Sequence, residues 1–273
     1  MNSIKLIFKT ANSDQGDYIS GLLSSLVIEG SEQTDGELYV YIQESNYNES
    51  DIKALLQDHP FDFCTEVLPM QNWNALWESN FEPIRIHQTV GVRAHFHPPF
   101  TDCQYDILIT PKMSFGTGHH ETTQMMLTYL CETDCSNKSV FDFGCGTGVL
   151  AIFAKLKGSA ETIGIDNDSW SVENAIENCI QNHCTEIKIS DATLHDFHQP
   201  FDIILANINL NVLLETLPRL NDMLKSDGDL FLSGILISDI NTISERFTSL
   251  GFELNAQKKL QTWSALHIKK RNM

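Results

Sequence analysis

The stretch that most constrains the fold of this chain is Val140-Phe141-Asp142-Phe143-Gly144-Cys145-Gly146-Thr147-Gly148. It is followed by the apolar run Val149-Leu150-Ala151-Ile152-Phe153-Ala154 and then by Thr162-Ile163-Gly164-Ile165-Asp166. A β-branched and aromatic strand, a glycine-rich turn, an apolar helix and a second strand ending in an acid make one βαβ unit. The glycines let the backbone approach a nucleotide-like ligand, and an acid about 20 residues further on sits where it can bind ribose hydroxyls.

The spacing selects among nucleotides. A dinucleotide fingerprint needs its third glycine where helix packs on strand, and Val149 occupies that position. The glycines instead run Gly144, Gly146, Gly148, with Asp142 two residues ahead of the first. This pattern resembles motif I of the class I S-adenosylmethionine-dependent methyltransferases. The resemblance implies that Asp142 helps orient the methionine end of the cofactor, that the glycine backbone lies along it, and that Asp166 holds the ribose hydroxyls.

The rest of the chain organises around that unit. At 273 residues there is room for one large domain and a small one. Residues 1–69 read as β-α-β-β-α-β: a strand at Ser3 to Thr10, a helix at Asp14 to Leu26, strands at Val27 to Glu32 and Glu37 to Gln43, a helix capped by Ser50, and a last strand at Phe61 to Leu68. That order is the ferredoxin-like one, expected to recognise a substrate. Residues 70–83 read as a helical linker on which Trp73, Trp77 and Phe81 form an aromatic stripe packed between domains. Residues 84–273 read as a doubly wound, Rossmann-like α/β domain, closed by a hairpin of Phe252 to Leu260 and Trp263 to Lys269.

A second glycine turn precedes a helix at Phe115-Gly116-Thr117-Gly118-His119-His120-Glu121-Thr122-Thr123, where exposed backbone N–H groups can cradle polar groups. This segment, the Asp142 to Gly148 turn, the strand ending at Asp166 and the segment Phe201-Asp202-Ile203-Ile204-Leu205-Ala206-Asn207-Ile208 resemble, in order and spacing, the PrmA family, which methylates large-subunit ribosomal protein eleven. The connector and the small N-terminal module match as well. The resemblance implies that Thr123, Gly144, Asp166 and Asn207 contact S-adenosylmethionine, with Phe115, Gly116, Thr117, Gly146 and Gly148 shaping the pocket. It places Asp191 where related enzymes bind the adenine amino group. The departures are His119 and Glu121, where the family usually carries Thr and Pro, and Asn209; they bear on substrate geometry.

The chemistry follows from alignment. Transfer from a sulfonium to an amine is an in-line displacement that needs no covalent nucleophile. It does need a neutral amine, although a lysine side chain has a pKa of about 10.4 and an α-amine about 8. Asn207, at the carboxyl end of its strand, can orient the incoming nitrogen as well as the cofactor. It opens Asn207-Ile208-Asn209-Leu210, which lacks the prolines and aromatic of the Asn-Pro-Pro-Tyr motif and suits an sp³ amine better than a planar amide.

Charge and composition bound the partners. With 36 acidic against 18 basic residues the net charge is −18, so a phosphate backbone is repelled; the surplus serves solubility or a basic partner. No apolar run approaches membrane-spanning length, and the first residues lack signal-peptide character. Seven cysteines without a regular framework read as reduced thiols, and a cytoplasmic monomer is expected. His95 with His97, His119 with His120, and His195 with His198 are not joined to a set that completes a metal site, and none is expected. The reading is a protein N-methyltransferase acting on lysine ε-amines and the N-terminal α-amine of ribosomal protein eleven, free or on the ribosome. The rivals are a methyltransferase of rRNA or other nucleic acid, and a ribosome-binding factor without catalysis.

Overall fold

In the first strand, β1 (Ser3–Lys9), Ile4, Leu6 and Phe8 are buried while their neighbours are not, so one face is built as core. The computed structural model describes residues 2–10, 12–34, 36–56, 59, 61–68, 82–110 and 121–271. The chain divides into two compact units, Met1–Asn80 and Phe81–Met273.

In the first unit β1 is followed by α1 (Ser13–Leu22), β2 (Gly30–Thr34), β3 (Glu37–Gln43), α2 (Glu49–Leu56) and β4 (Phe63–Leu68). The antiparallel sheet has the order β2-β3-β1-β4, which is the ferredoxin-like arrangement. Ile19 and Leu23 from the first helical segment and Ile52 and Leu56 from α2 close its core. Two local expectations shift. The helix expected to run to Leu26 ends at Leu22, passing into a tighter turn at Leu23–Ser25. The second helix is capped not by Ser50 but by Asn48, whose Oδ1 accepts the Ser50 N–H at 3.0 Å. The aromatic stripe of Trp73, Trp77 and Phe81 lies outside the described residues.

The second unit begins with a three-stranded sheet, β5 (Ile84–Ile86), β6 (Val90–Arg93) and β7 (Tyr105–Leu108). Then come α3 (Glu121–Glu132), β8 (Ser139–Phe143), α4 (Val149–Leu156), β9 (Glu161–Ile165), α5 (Ser169–Gln181), β10 (Lys188–Ser190), β11 (Phe201–Asn207), α6 (Leu210–Met223), β12 (Leu224–Leu236), α7 (Ile240–Ser249), β13 (Phe252–Leu260) and β14 (Trp263–Lys270). The sheet order is β10-β9-β8-β11-β12-β14-β13. The pairs from β10 through β12 are parallel, and the last two pairs are antiparallel.

Strand alternation divides the core. Ile203 and Leu205 face a cluster with α3, α4 and the small sheet, whereas Ile204 and Ala206 face one with α6 and α7. Both faces of the central strands are therefore covered, which is why Phe201 to Ala206 reads as a nearly continuous apolar run. The chain moves outward from β8 to β10 and then returns to β11, so the switch point, where a crevice opens, lies between β8 and β11. Among the described residues, no helix is long and apolar enough to cross a membrane.

Candidate active site

The turn after β8 folds as it does because glycine alone tolerates its backbone at little cost. Gly144, Gly146 and Gly148 have φ of 73°, 54° and 76°. A Cβ on Gly144 would lie 2.4 Å from the Ile208 side chain, and one on Gly148 would lie 3.2 Å from the Cβ of Ala175. The turn is tied to the next strand by Gly144 N–H and Cys145 N–H, which donate to the Ile165 carbonyl at 2.9 and 3.0 Å. Asp166 completes the tie: its carboxylate accepts the Gly146 N–H at 2.9 Å and the Asp168 N–H at 3.0 Å.

At the switch point lies a cleft of about 500 Å³, within the range of small-molecule sites. Thr123, Gly144, Gly146, Asp166 and Asn207, all singled out from sequence, line it together. Asp142 and Gly148 support the same turn from behind and are not in its lining. Asp191 follows directly on β10 and is exposed, also outside the lining. Phe115, Gly116, Thr117, His119 and His120 lie outside the described residues. Glu121 is the first residue of α3.

Two polar atoms here want a partner. Asn207 donates through Nδ2 to Thr123 Oγ1 at 3.3 Å, while its Oδ1 is buried without a hydrogen bond. Asp142, 1% exposed, accepts the Ala151 N–H at 3.2 Å through one oxygen and leaves the other unpaired. Desolvation drives its pKa up to about 7, with the nearby Asp166 charge adding to the rise and the Ala151 hydrogen bond opposing it. Cys145 also lines the cleft, but burial pushes its thiol well above the ordinary range, so it is no nucleophile.

Sequence reasoning missed several lining residues. Asn167, Asp168 and Ser171 come from the start of α5, where Asp168 Oδ2 accepts the Ser171 N–H at 3.1 Å; an acid at a helix start was the available signal. Gly234 reaches the cleft through its φ of 83° beside an irregularity in β12. Trp263 arrives by antiparallel pairing with Leu236, a non-local contact that no local pattern announces. Among the described residues, no three His, Cys, Asp or Glu side chains converge as metal ligands.

A doubly wound sheet ending in two antiparallel pairs, a three-glycine turn after β8 and an acid just after β9 defines a class I methyltransferase domain. The comparisons narrow this. Residues 24–271 match the family model described as ribosomal protein L11 methyltransferase (PrmA), so the chain belongs to that family. It is 40% identical over 260 residues to the ribosomal protein L11 methyltransferase of Porphyromonas gingivalis, covering 92% of this chain and 90% of that protein. It is 35% identical over 276 residues to the protein of the same name from Phocaeicola vulgatus, covering 97% and 98%. The solved ribosomal protein L11 methylase of Lactobacillus delbrueckii subsp. bulgaricus superposes with a TM-score of 0.65 at 26% identity, over 70% of this chain and all of that one.

Proposed function

We propose that this chain transfers methyl groups from S-adenosylmethionine to amines of ribosomal protein L11, the lysine ε-amines and the N-terminal α-amine. The observation that carries the proposal is the unpartnered Asn207 Oδ1, buried at the carboxyl end of β11 beside the cleft. A buried acceptor without a donor costs about 1–3 kcal/mol, and an amine N–H supplies the missing donor. When bound, S-adenosylmethionine supplies an electrophilic methyl group on a sulfonium.

The glycine turn fits such a ligand because Gly144 and Gly146 bring bare backbone to the lining of the cleft. In the proposal Asp166 accepts from the ribose hydroxyls, Gly144, Gly146 and Gly148 admit the methionine portion, and Asp142 answers its ammonium. Thr123 fixes the Asn207 amide so that Oδ1 points to the reacting nitrogen. Asp191 takes the adenine amino group; the Asp166 N–H···Ser190 carbonyl bond of 3.2 Å keeps the ends of β9 and β10 adjacent. Phe115, Gly116 and Thr117 complete the pocket. The small N-terminal unit recognises the ribosomal protein, within boundaries of 1–69, 70–83 and 84–273, and the enzyme works as a cytoplasmic monomer. The net charge of −18 supports a basic protein as partner and disfavours free rRNA.

The test is Asn207→Ala, with cofactor affinity measured by calorimetry and transfer by single turnover. A fall in transfer of at least about tenfold more than the fall in affinity is expected for an amine-orienting group. Equal losses would assign Asn207 to the cofactor alone.

A further inference from the structure

Half of the net charge of −18 lies in residues 1–69, which hold twelve acidic and three basic residues. Strand alternation decides where those charges stand. Ile4, Leu6 and Phe8 of β1 and Leu38, Val40 and Ile42 of β3 share one core with Ile19 of α1 and Ile52 of α2. The residues between them, Lys5, Ile7, Tyr39 and Tyr41, therefore form the other face of the sheet, where each is half-buried.

Register sets the neighbours on that face. Tyr39 lies between Glu32 and Ile7, and Tyr41 lies between Gly30 and Lys5, with Glu66 of β4 beyond Lys5. Both phenols are fixed, since Tyr39 donates to Glu37 at 2.5 Å and Tyr41 to Glu32 at 3.3 Å. Lys5 Nζ stands 3.7 Å from the centre of the Tyr39 ring, so the face already holds one ammonium on an aromatic ring. The flank of Tyr41 has room for another, because a Cβ on Gly30 would meet nothing within 4 Å. Glu32 and Glu66, both exposed, stand on the two edge strands.

We propose that this face docks the basic ribosomal protein through its lysines, one ammonium lying over Tyr41 beside Glu32 and another pairing with Glu66. This rests on the ribosomal-protein reading above and gives the recognition assigned to the small unit a definite surface. A lysine held here stays a cation and cannot attack a methyl group, so these are docking contacts, separate from the acceptor amine. The same charges turn away the other ligand that a tyrosine pair suits. Aromatic rings on a sheet face stack nucleic-acid bases, but such binding also needs cations along the phosphates. Here Glu32, Glu37, Glu66 and Glu29, the last bonded by Ser3 at 2.6 Å, stand against Lys5 and Lys9.

The test is the Kd of purified ribosomal protein L11 for the full-length protein saturated with S-adenosylhomocysteine. Glu32→Lys/Glu66→Lys is expected to weaken binding at least about tenfold, and Tyr41→Leu about fivefold. The control, Asp17→Lys/Asp51→Lys, reverses as many charges on the helices of the opposite face and should change Kd by less than about twofold at about 0.15 M salt. Hydrogen exchange at the β1 and β3 amides verifies that each variant keeps the sheet. An equal loss in the control would mean that net charge alone attracts the partner, and overturns the proposal. A native protein that does not bind L11, or a Kd unmoved by the face variants, overturns it as well. A polyuridine oligonucleotide that binds the native protein and not Tyr41→Leu overturns it in favour of nucleic acid. Methyl transfer judges the parent reading separately: if L11 binds through this face and receives no methyl group, amine methylation fails and the docking surface stands.

Discussion

Asp142→Asn is the most quantitative perturbation of the site. The carboxyl is 1% exposed, holds one hydrogen bond from Ala151 and leaves one oxygen unpaired, and its pKa rises from 3.8 to about 7. Between those values the folded protein keeps a proton that the unfolded chain has released. The unfolded state then binds fewer protons, so stability falls as pH rises, by about 1.4 kcal/mol per unit. The stabilisation is fully present below about pH 4, is lost as pH climbs toward 7, and amounts to ~4 kcal/mol over the window. An asparagine keeps the shape and cannot titrate. The stability of the native protein relative to the variant should therefore fall by ~4 kcal/mol between about pH 4 and about pH 8. Urea unfolding followed by hydrogen exchange at the β8 and α4 amides reads the second unit directly. Parallel stability curves for the two proteins would refute the assignment of a neutral, buried carboxyl in the free enzyme.

Cofactor affinity should increase with pH up to about 7 and then level off, because a cationic ligand end favours the ionised Asp142; calorimetry in Asp142→Asn should show no such rise. Asn178→Ala should destabilise the second unit by ~2–4 kcal/mol and raise the cofactor KM more than it lowers kcat. It removes the Asn178 bonds to the Thr147 carbonyl and from the Thr110 N–H, at 2.9 and 2.8 Å; a stability loss with unchanged KM would reduce Asn178 to scaffolding. Gly234→Ala should cost ~2–4 kcal/mol in thermal unfolding, since its φ is 83° and the new Cβ would lie 2.2 Å from the Ile208 carbonyl. Gly21→Ala, with nothing within 4 Å in α1, should instead stabilise by up to ~1 kcal/mol, and a matching loss in both would show that the Gly234 effect is generic.

Local pattern carried much of this fold into the sequence. The β8 turn was legible because glycine spacing, flanking acids and an apolar helix all lie within a few residues of one another. The ferredoxin-like order was legible from alternating runs such as Ile4, Leu6 and Phe8. What escaped was short or non-local. β5 and β6 have three and four residues and are joined by a turn in which His87 takes a φ of 53°, so neither gives a period to read. β12 begins at Leu224 through Lys225, Ser226 and Asp227, polar residues that read as loop. In the site, the residues adjacent to the glycine turn were found, whereas Trp263 and Gly234 reach the cleft only through strand pairing across the sheet.

The most direct measurement is transfer of labelled methyl from S-adenosylmethionine to purified ribosomal protein L11 of the same organism, with free rRNA as a parallel acceptor and mass spectrometry of both. Label on lysines and the N-terminus of the protein, and none on the RNA, is the predicted result. Label on RNA alone, or no transfer despite measurable cofactor binding, would contradict the account.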